Sequence, residues 1–157
     1  MDKITENRIN LLHPKIKDEV KALVEKANSL LSAHSEIRIV QGLRTFEEQH
    51  KLFLQRPRVT KADAGSSYHN YGLAVDFCLL IDDKEISWDL QKDWDGDKIA
   101  DWMEVVKVFK DAGYEWGGNW KFKDNPHFQK TFGYTWKQLL EKHKNKDFIP
   151  GTTFVNI

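Results

Sequence analysis

From Pro14 to Ser32 the apolar residues Ile16, Val20, Leu23, Val24, Ala27, Leu30 and Leu31 recur at steps of three and four. That spacing predicts an amphipathic helix, and Pro14 suits its first turn, where a missing N–H costs nothing. Ile37-Arg38-Ile39-Val40 predicts a short strand that ends at Gly42. Thr45 is then placed to cap a second helix carrying Phe46, Leu52 and Phe53, which stops before Pro57. Arg58 to Tyr71 is polar and reads as loop, whereas Leu73 to Ile81 is apolar except at Asp76 and predicts a buried strand turning at Asp82-Asp83. Met103, Val106 and Phe109 mark a helix from about Ile99 to Ala112, ended by Gly113. Tyr114 to Trp120 is aromatic and glycine-rich, Phe128 falls in a short extended piece, and Thr135 to Lys144 predicts a last helix.

Strands alternate with helices through irregular connections, so the fold class expected is α+β, a small mixed or antiparallel sheet flanked by helices. No repeat and no Pro/Gly/Ser-rich divider interrupts the 157 residues, which predicts a single domain over residues 1–157. Twenty-four basic residues balance 24 acidic ones, giving no global electrostatic reason to expect nucleic acid or an anionic membrane as partner. No apolar run approaches the ~20 residues of a bilayer span, so no membrane insertion is expected. The N-terminus lacks a basic segment followed by an apolar one, which predicts synthesis in the cytoplasm without a secretory signal. The single Cys78 excludes an intramolecular disulfide, and its place in the apolar strand reads as a small buried hydrophobe rather than a nucleophile.

Chemistry concentrates at two of the six histidines. His13 precedes a proline at a helix start, and His34, His50 and His143 lie in or beside polar helical segments where a solvated imidazole is expected. His69 instead sits in a loop seven residues before Asp76, a carboxylate inside an otherwise apolar strand. An unpaired charge there costs several kcal/mol, so Asp76 needs a cation, a metal or several N–H donors. Asp124-Asn125-Pro126-His127-Phe128 adds a second carboxylate and imidazole. His69, Asp76 and His127 form a three-ligand set of the catalytic zinc type, which leaves a position for water, and Asp124 becomes the candidate general base. Spacing alone also admits a loop histidine bonded to backbone and a buried ion pair of Asp76 with Arg44.

Ser67-x-His69-x2-Gly72-x-Ala74-x-Asp76, then Trp116-Gly117-Gly118-Asn119-Trp120, then Asp124-x-Pro126-His127-Phe128 follow Gly42-Leu43-Arg44-Thr45-Phe46-Glu47-Glu48-Gln49 in order. Together they resemble the zinc peptidases of peptidoglycan stem peptides: L-alanyl-D-glutamate endopeptidases, phage endolysins among them, and D-alanyl-D-alanine carboxypeptidases. The resemblance spans about Leu11 to Leu140 and implies a fold like that of D-Ala-D-Ala peptidases and hedgehog signalling domains. It implies Zn2+ on His69, Asp76 and His127, Asp124 as the catalytic acidic residue, and Arg44 steadying the substrate carbonyl. Ser67 and Gln49 are expected to support substrate by hydrogen bonds, with Trp116 in the core and Trp120 nearer the cleft. Lys121-Phe122-Lys123 is a residue shorter than in many relatives, a change that bears on cleft shape.

The implied function is hydrolysis of the L-Ala-D-Glu bond, with a D-Ala-D-Ala carboxypeptidase or dipeptidase and a non-catalytic zinc or wall-binding module as alternatives. The implied partner is the bacterial stem peptide, met by a monomeric catalytic domain without a separate wall-binding part, after release through a holin or by lysis. A second metal motif lies apart. Asp93, Asp95, Asp97, Asp101 and Glu104 occupy positions 1, 3, 5, 9 and 12 of a calcium-loop spacing, although Lys98 stands where the sharp turn favours glycine. Against Ca2+ stands a plain alternative, with Asp95 or Asp97 capping the next helix and the other acids solvated.

Overall fold

The computed structural model describes residues 1–157. In chain order it contains α1 (Lys3–Asn10), α2 (Pro14–Leu30), β1 (Ser35–Gln41), α3 (Phe46–Leu54), β2 (Ala74–Ile81), β3 (Glu85–Ser87), α4 (Asp101–Asp111), β4 (Glu115–Trp116), β5 (His127–Gln129) and α5 (Trp136–Lys144). Tight 3-10 turns cover Tyr68–Tyr71 and Gly117–Asn119. All strand pairs are antiparallel, in the order β1-β2-β5-β4, with β3 also on β2. The α+β expectation holds, and the sheet is antiparallel throughout.

The caps follow the sequence. Pro14 opens α2, Thr45 accepts from Glu48 N at the start of α3, and Thr135 and Gln138 form a reciprocal cap on α5. Ile16, Val20, Val24 and Ala27 bury the predicted face of α2, whereas Leu30 at its end is half exposed. α4 begins at Asp101 rather than Ile99, and its core face is Trp102, Val105, Val106 and Phe109, with Met103 turned outward.

α1 was not predicted, because its composition is polar and only Thr5 and Ile9 are buried. It is held by docking: Thr5 Oγ accepts from Ile39 N, and Arg8 Nη1 donates to the Ile39 carbonyl at 2.7 Å. That contact lies where the β1–β2 register shifts, between Ile39 and Gln41. His13 is also buried, its Nε2 donating to the Val155 carbonyl at 2.8 Å and so tying the chain's end to the core. Gly72 passes so close to the His13 backbone that a Cβ would lie 2.6 Å from its nitrogen, with φ 68°.

β2 organises the molecule. Its pleat sends Phe77 to one face and Asp76 to the other, and β5 does the same with Phe128 and His127. Phe77 stacks on Phe128 at 5.3 Å and Phe128 on Phe109 of α4 at 4.5 Å, a fully buried aromatic layer directly beneath the polar face. Each such ring contributes roughly 1.5–3 kcal/mol by burial, so the polar face rests on a rigid floor. Cys78 lies within this core, and burial pushes its thiol up to about 11. Such burial fits the small buried hydrophobe expected from the sequence.

Candidate active site

Two short strands and a capped turn bring the three candidate ligands together. Asp76 of β2 is the cross-strand partner of His127 of β5, which places both side chains on one face of the sheet. His69 enters from the 3-10 turn that Ser67 caps, its Oγ accepting from His69 N, with Asn70 returning a bond to the cap. Asn70 also donates to the Arg44 carbonyl, and Arg44 N donates to the His69 carbonyl, so the Arg44 and His69 segments are bonded in both directions. His69 Nε2 lies 3.3 Å and His127 Nδ1 3.0 Å from Asp76 Oδ1.

The other ring nitrogens fix what those atoms are. His69 Nδ1 is 2.8 Å from the Gly42 carbonyl, which can only accept, so Nδ1 carries the proton. His127 Nε2 is 2.8 Å from Gln129 Oε1, and the Gln129 amide nitrogen donates to Glu115 Oε2 at 3.1 Å. In both neutral rings an unprotonated nitrogen therefore faces the Asp76 carboxylate. Three acceptors converging within 4.8 Å need a positive charge among them. With no metal bound, protons on the imidazoles supply it: burial works to raise the pKa of Asp76, but N–H groups and positive charge on His127 and His69 outweigh it and hold the carboxyl well below its usual range. Burial works to lower His127, and Asp76 outweighs it in turn.

These groups open into a cleft of about 470 Å³ lined by thirteen residues, among them Arg44, Thr60, Ser67, Tyr68, Trp120 and Asp124. Asp124 is half exposed, with Oδ2 3.8 Å from His127 Nδ1. Its pKa is raised, first by burial and then by the Asp76 carboxylate, against the pull of His127, His69 and Arg44. The Trp116–Trp120 turn is what holds it. Asp124 N donates to the Gly117 carbonyl, Trp116 Nε1 donates to the Asn125 carbonyl at 2.7 Å, and a Cβ on Gly117 would strike the Asp124 backbone. Trp116 packs on the core and Trp120 lines the cleft 5.2 Å from the His127 ring, as the sequence suggested.

Gln49 requires a correction. It is fully buried, and its amide is spent on Arg44 Nη1 at 2.9 Å and the Ala62 carbonyl at 2.8 Å, so it braces Arg44 instead of meeting substrate. His143 is not simply solvated either, since its ring lies 4.3 Å from Phe46. His34 and His50 are exposed and paired with Asp82 and Asp63. No ion pair joins Arg44 to Asp76; the two imidazoles are the partners of that carboxylate. Gln129, Glu115 and Asn70 went unread, although Gln129 stands two places beyond His127 on a strand, the interval that returns to the same face.

The acidic loop separates into two groups. Oxygens of Asp93, Asp95 and Asp101 lie within 4.8 Å of one another, as do those of Asp95, Asp97 and Glu104. Lys98 adopts φ 73° at the position where glycine was expected. Asp101 is completely buried and accepts from Trp94 N and Ser35 Oγ, tying the loop to β1. Glu104 Oε2 is buried without a partner, and burial, with Asp97, Asp95 and Asp101 around it, pushes the carboxyl up to about 8.

Known proteins bear on this geometry. Residues 60–130 match the family described as D-alanyl-D-alanine carboxypeptidase. Over 124 residues the chain is 44% identical to the peptidoglycan L-alanyl-D-glutamate endopeptidase CwlK of Bacillus subtilis (strain 168), covering 75% of this chain and 72% of that protein. The chain belongs to the peptidase M15 family. It is thus an enzyme of the hydrolase type, and membership implies a divalent metal. This M15 peptidase is also 31% identical over 128 residues to the L-alanyl-D-glutamate peptidase of Listeria phage A118, covering 76% of this chain but 40% of the phage protein. The crystal structure of the Serratia marcescens L-Ala D-Glu endopeptidase ChiX matches the M15 peptidase with a TM-score of 0.59 and 27% identity, over 84% of this chain and 90% of that one. No helix of the M15 peptidase is long and apolar enough to cross a membrane.

Proposed function

We propose that this M15 peptidase is a zinc enzyme that hydrolyses the L-Ala-D-Glu bond of peptidoglycan stem peptides, acting at the cell wall as a monomeric, single catalytic domain. The observation that carries the reading is the convergence of two imidazole nitrogens on one carboxylate, with Asp124 at the rim. The donor set fits zinc. Atoms bound at about 2.0–2.1 Å around a tetrahedral zinc stand roughly 3.3 Å apart, and His69 and His127 lie at 3.3 and 3.0 Å from Asp76 Oδ1. His69 Nε2, Asp76 and His127 Nδ1 would hold the ion. Bound there, zinc supplies Lewis acidity for the scissile carbonyl and brings the pKa of water toward ~7.

The remaining steps belong to side chains of the protein. Asp124, its proton affinity raised above that of an ordinary carboxylate, takes a proton from the attacking water and delivers it to the departing amine. Arg44, which lines the cleft, offers a fixed positive charge to the carbonyl oxygen as it becomes negative. Trp120 and Ser67 form walls against which the peptide is aligned.

The choice of bond rests on the endopeptidase relatives and on the cleft's charge. Arg44 is the sole cationic residue lining it, so no second cation is at hand to clasp the terminal carboxylate of a carboxypeptidase substrate. Digestion of purified wall fragments, with and without chelator, followed by mass spectrometry tests the proposal. New peptides beginning with D-Glu, lost on chelation, are expected. Free D-Ala as the only product would replace it with the carboxypeptidase reading.

For the loop from Asp93 to Glu104 the reading is a structural calcium site. It is favoured by the approach of Asp95, Asp97 and Glu104 oxygens around a buried, unpartnered Glu104 Oε2. Calcium is expected to raise the melting temperature where equimolar magnesium does not. Neither Asp95 nor Asp97 caps α4, whose N-cap is Ala100, so equal response to both ions would leave these acids only solvation and the loop's own backbone N–H groups.

A further inference from the structure

We infer that Gln129 is a positioning residue for the metal centre, and that Glu115 fixes the orientation in which Gln129 works. The inference rests on the metal-site reading above and concerns two residues outside the ligand set.

The sheet register builds the arrangement. His127 and Gln129 are two apart on β5 and share a face. Glu115 of β4 is the cross-strand partner of Gln129, and Asp76 of β2 that of His127. Across three strands, Asp76, His127, Gln129 and Glu115 thus form one line of contacts at 3.0, 2.8 and 3.1 Å, of which the last two are hydrogen bonds. His127 and Gln129 are buried, while Glu115 ends the line in solvent.

An amide can present either its oxygen or its nitrogen. Glu115 can only accept when ionised, so it draws the Gln129 nitrogen and turns the Gln129 oxygen toward His127. That oxygen holds the proton on His127 Nε2 and leaves Nδ1 free to bind. Reversed, the amide would oppose N–H to N–H and favour the wrong tautomer. A ligand histidine whose second nitrogen loses its partner typically costs 10–100-fold in metal affinity or activity.

The test measures zinc affinity of the full chain by competition with a chromophoric chelator. In the zinc-loaded protein it also measures solvent exchange of the His127 Nε2 proton by NMR. Gln129→Met keeps the volume and removes the acceptor; zinc should bind about 10–100-fold more weakly and the proton should exchange faster. The paired exchange Gln129→Glu with Glu115→Gln restores an acceptor toward His127 and gives it a donor in place of the opposing carboxylate, and should hold parental affinity or better. Glu115→Ala should fall between, because the amide is then free to rotate. Parental affinity and a protected proton in Gln129→Met would overturn the inference, as would the paired exchange binding as weakly as Gln129→Met. A parent chain that binds no zinc would instead remove the metal-site reading, and this inference with it.

Discussion

Arg44 and Gln49 are locked together beside the cleft: Nη1 of the arginine donates to Oε1 of the glutamine at 2.9 Å, and the glutamine's own nitrogen is anchored on the Ala62 carbonyl. A fully buried amide thus joins the guanidinium to the loop that carries Val59 and Thr60 into the cleft wall. Gln49→Leu removes both bonds at once. Unpaired polar partners cost about 1–3 kcal/mol, so the melting temperature should drop by several degrees and kcat should fall with it as Arg44 loosens. Unchanged kcat would show that the brace serves stability alone.

Arg44→Lys tests the guanidinium itself. Lysine keeps a charge but cannot bond Gln49 and face the substrate carbonyl through one planar fork. Losing one donor of this kind costs about 10²–10³ in kcat. Zinc affinity, measured in parallel, should stay at the parental level.

Asp124→Asn separates proton transfer from metal binding. The side chain is half exposed and 3.8 Å from the nearest His127 nitrogen, so neither fold nor metal content should change. Loss of the general base should lower kcat by about 10²–10⁴. A variant that also lost its zinc would place Asp124 among the ligands.

Zinc should stabilise the protein as well as activate it. At free zinc one hundred times the dissociation constant, binding to the folded state alone contributes about 2.7 kcal/mol, or about 5–10 °C of melting temperature for a domain of this size. His69→Ala should abolish the increment, which differential scanning calorimetry with and without zinc would register.

Glu104 supplies a pH signature independent of catalysis. In the folded protein it keeps its proton up to about 8, against an ordinary value of 4.5. Below 4.5 both folded and unfolded chains are protonated, so nothing is lost there. Between 4.5 and about 8 the unfolded chain has released a proton that the folded one retains, so stability falls as pH rises through that window. Glu104→Gln should flatten that decline in the metal-free protein and raise its melting temperature at the upper end by on the order of a few degrees. A parallel decline in parent and variant would show that Glu104 ionises normally.

The candidate ligand set was legible because its residues are chemically costly where they stand. A carboxylate inside Leu73 to Ile81 demands compensation, and two histidine islands were at hand. Helices with a continuous apolar stripe and a capping residue were legible for the same local reasons, as at Pro14 and Thr45. What failed to show was set by contacts far apart in sequence. α1 is stabilised by reaching Ile39, and β4 has only two residues and exists because β5 pairs with it. The role of Gln49 was misread since burial of a polar residue in a polar helix leaves no trace in the pattern, and the tautomers of His69 and His127 depend on Gly42 and Gln129, which only the folded sheet brings near.

The hydrolytic groups and the cleft walls are built from different material. Asp76 and His127 belong to paired strands over a stacked aromatic floor, while the wall residues Val59, Thr60 and Trp120 arrive on irregular segments between elements. Insertions or exchanges in those segments can reshape which peptide is admitted while the register that aligns the metal donors is preserved. The Lys121-Phe122-Lys123 bridge is such a place, where one lineage can diverge in the cell walls it attacks without rebuilding the chemistry it uses.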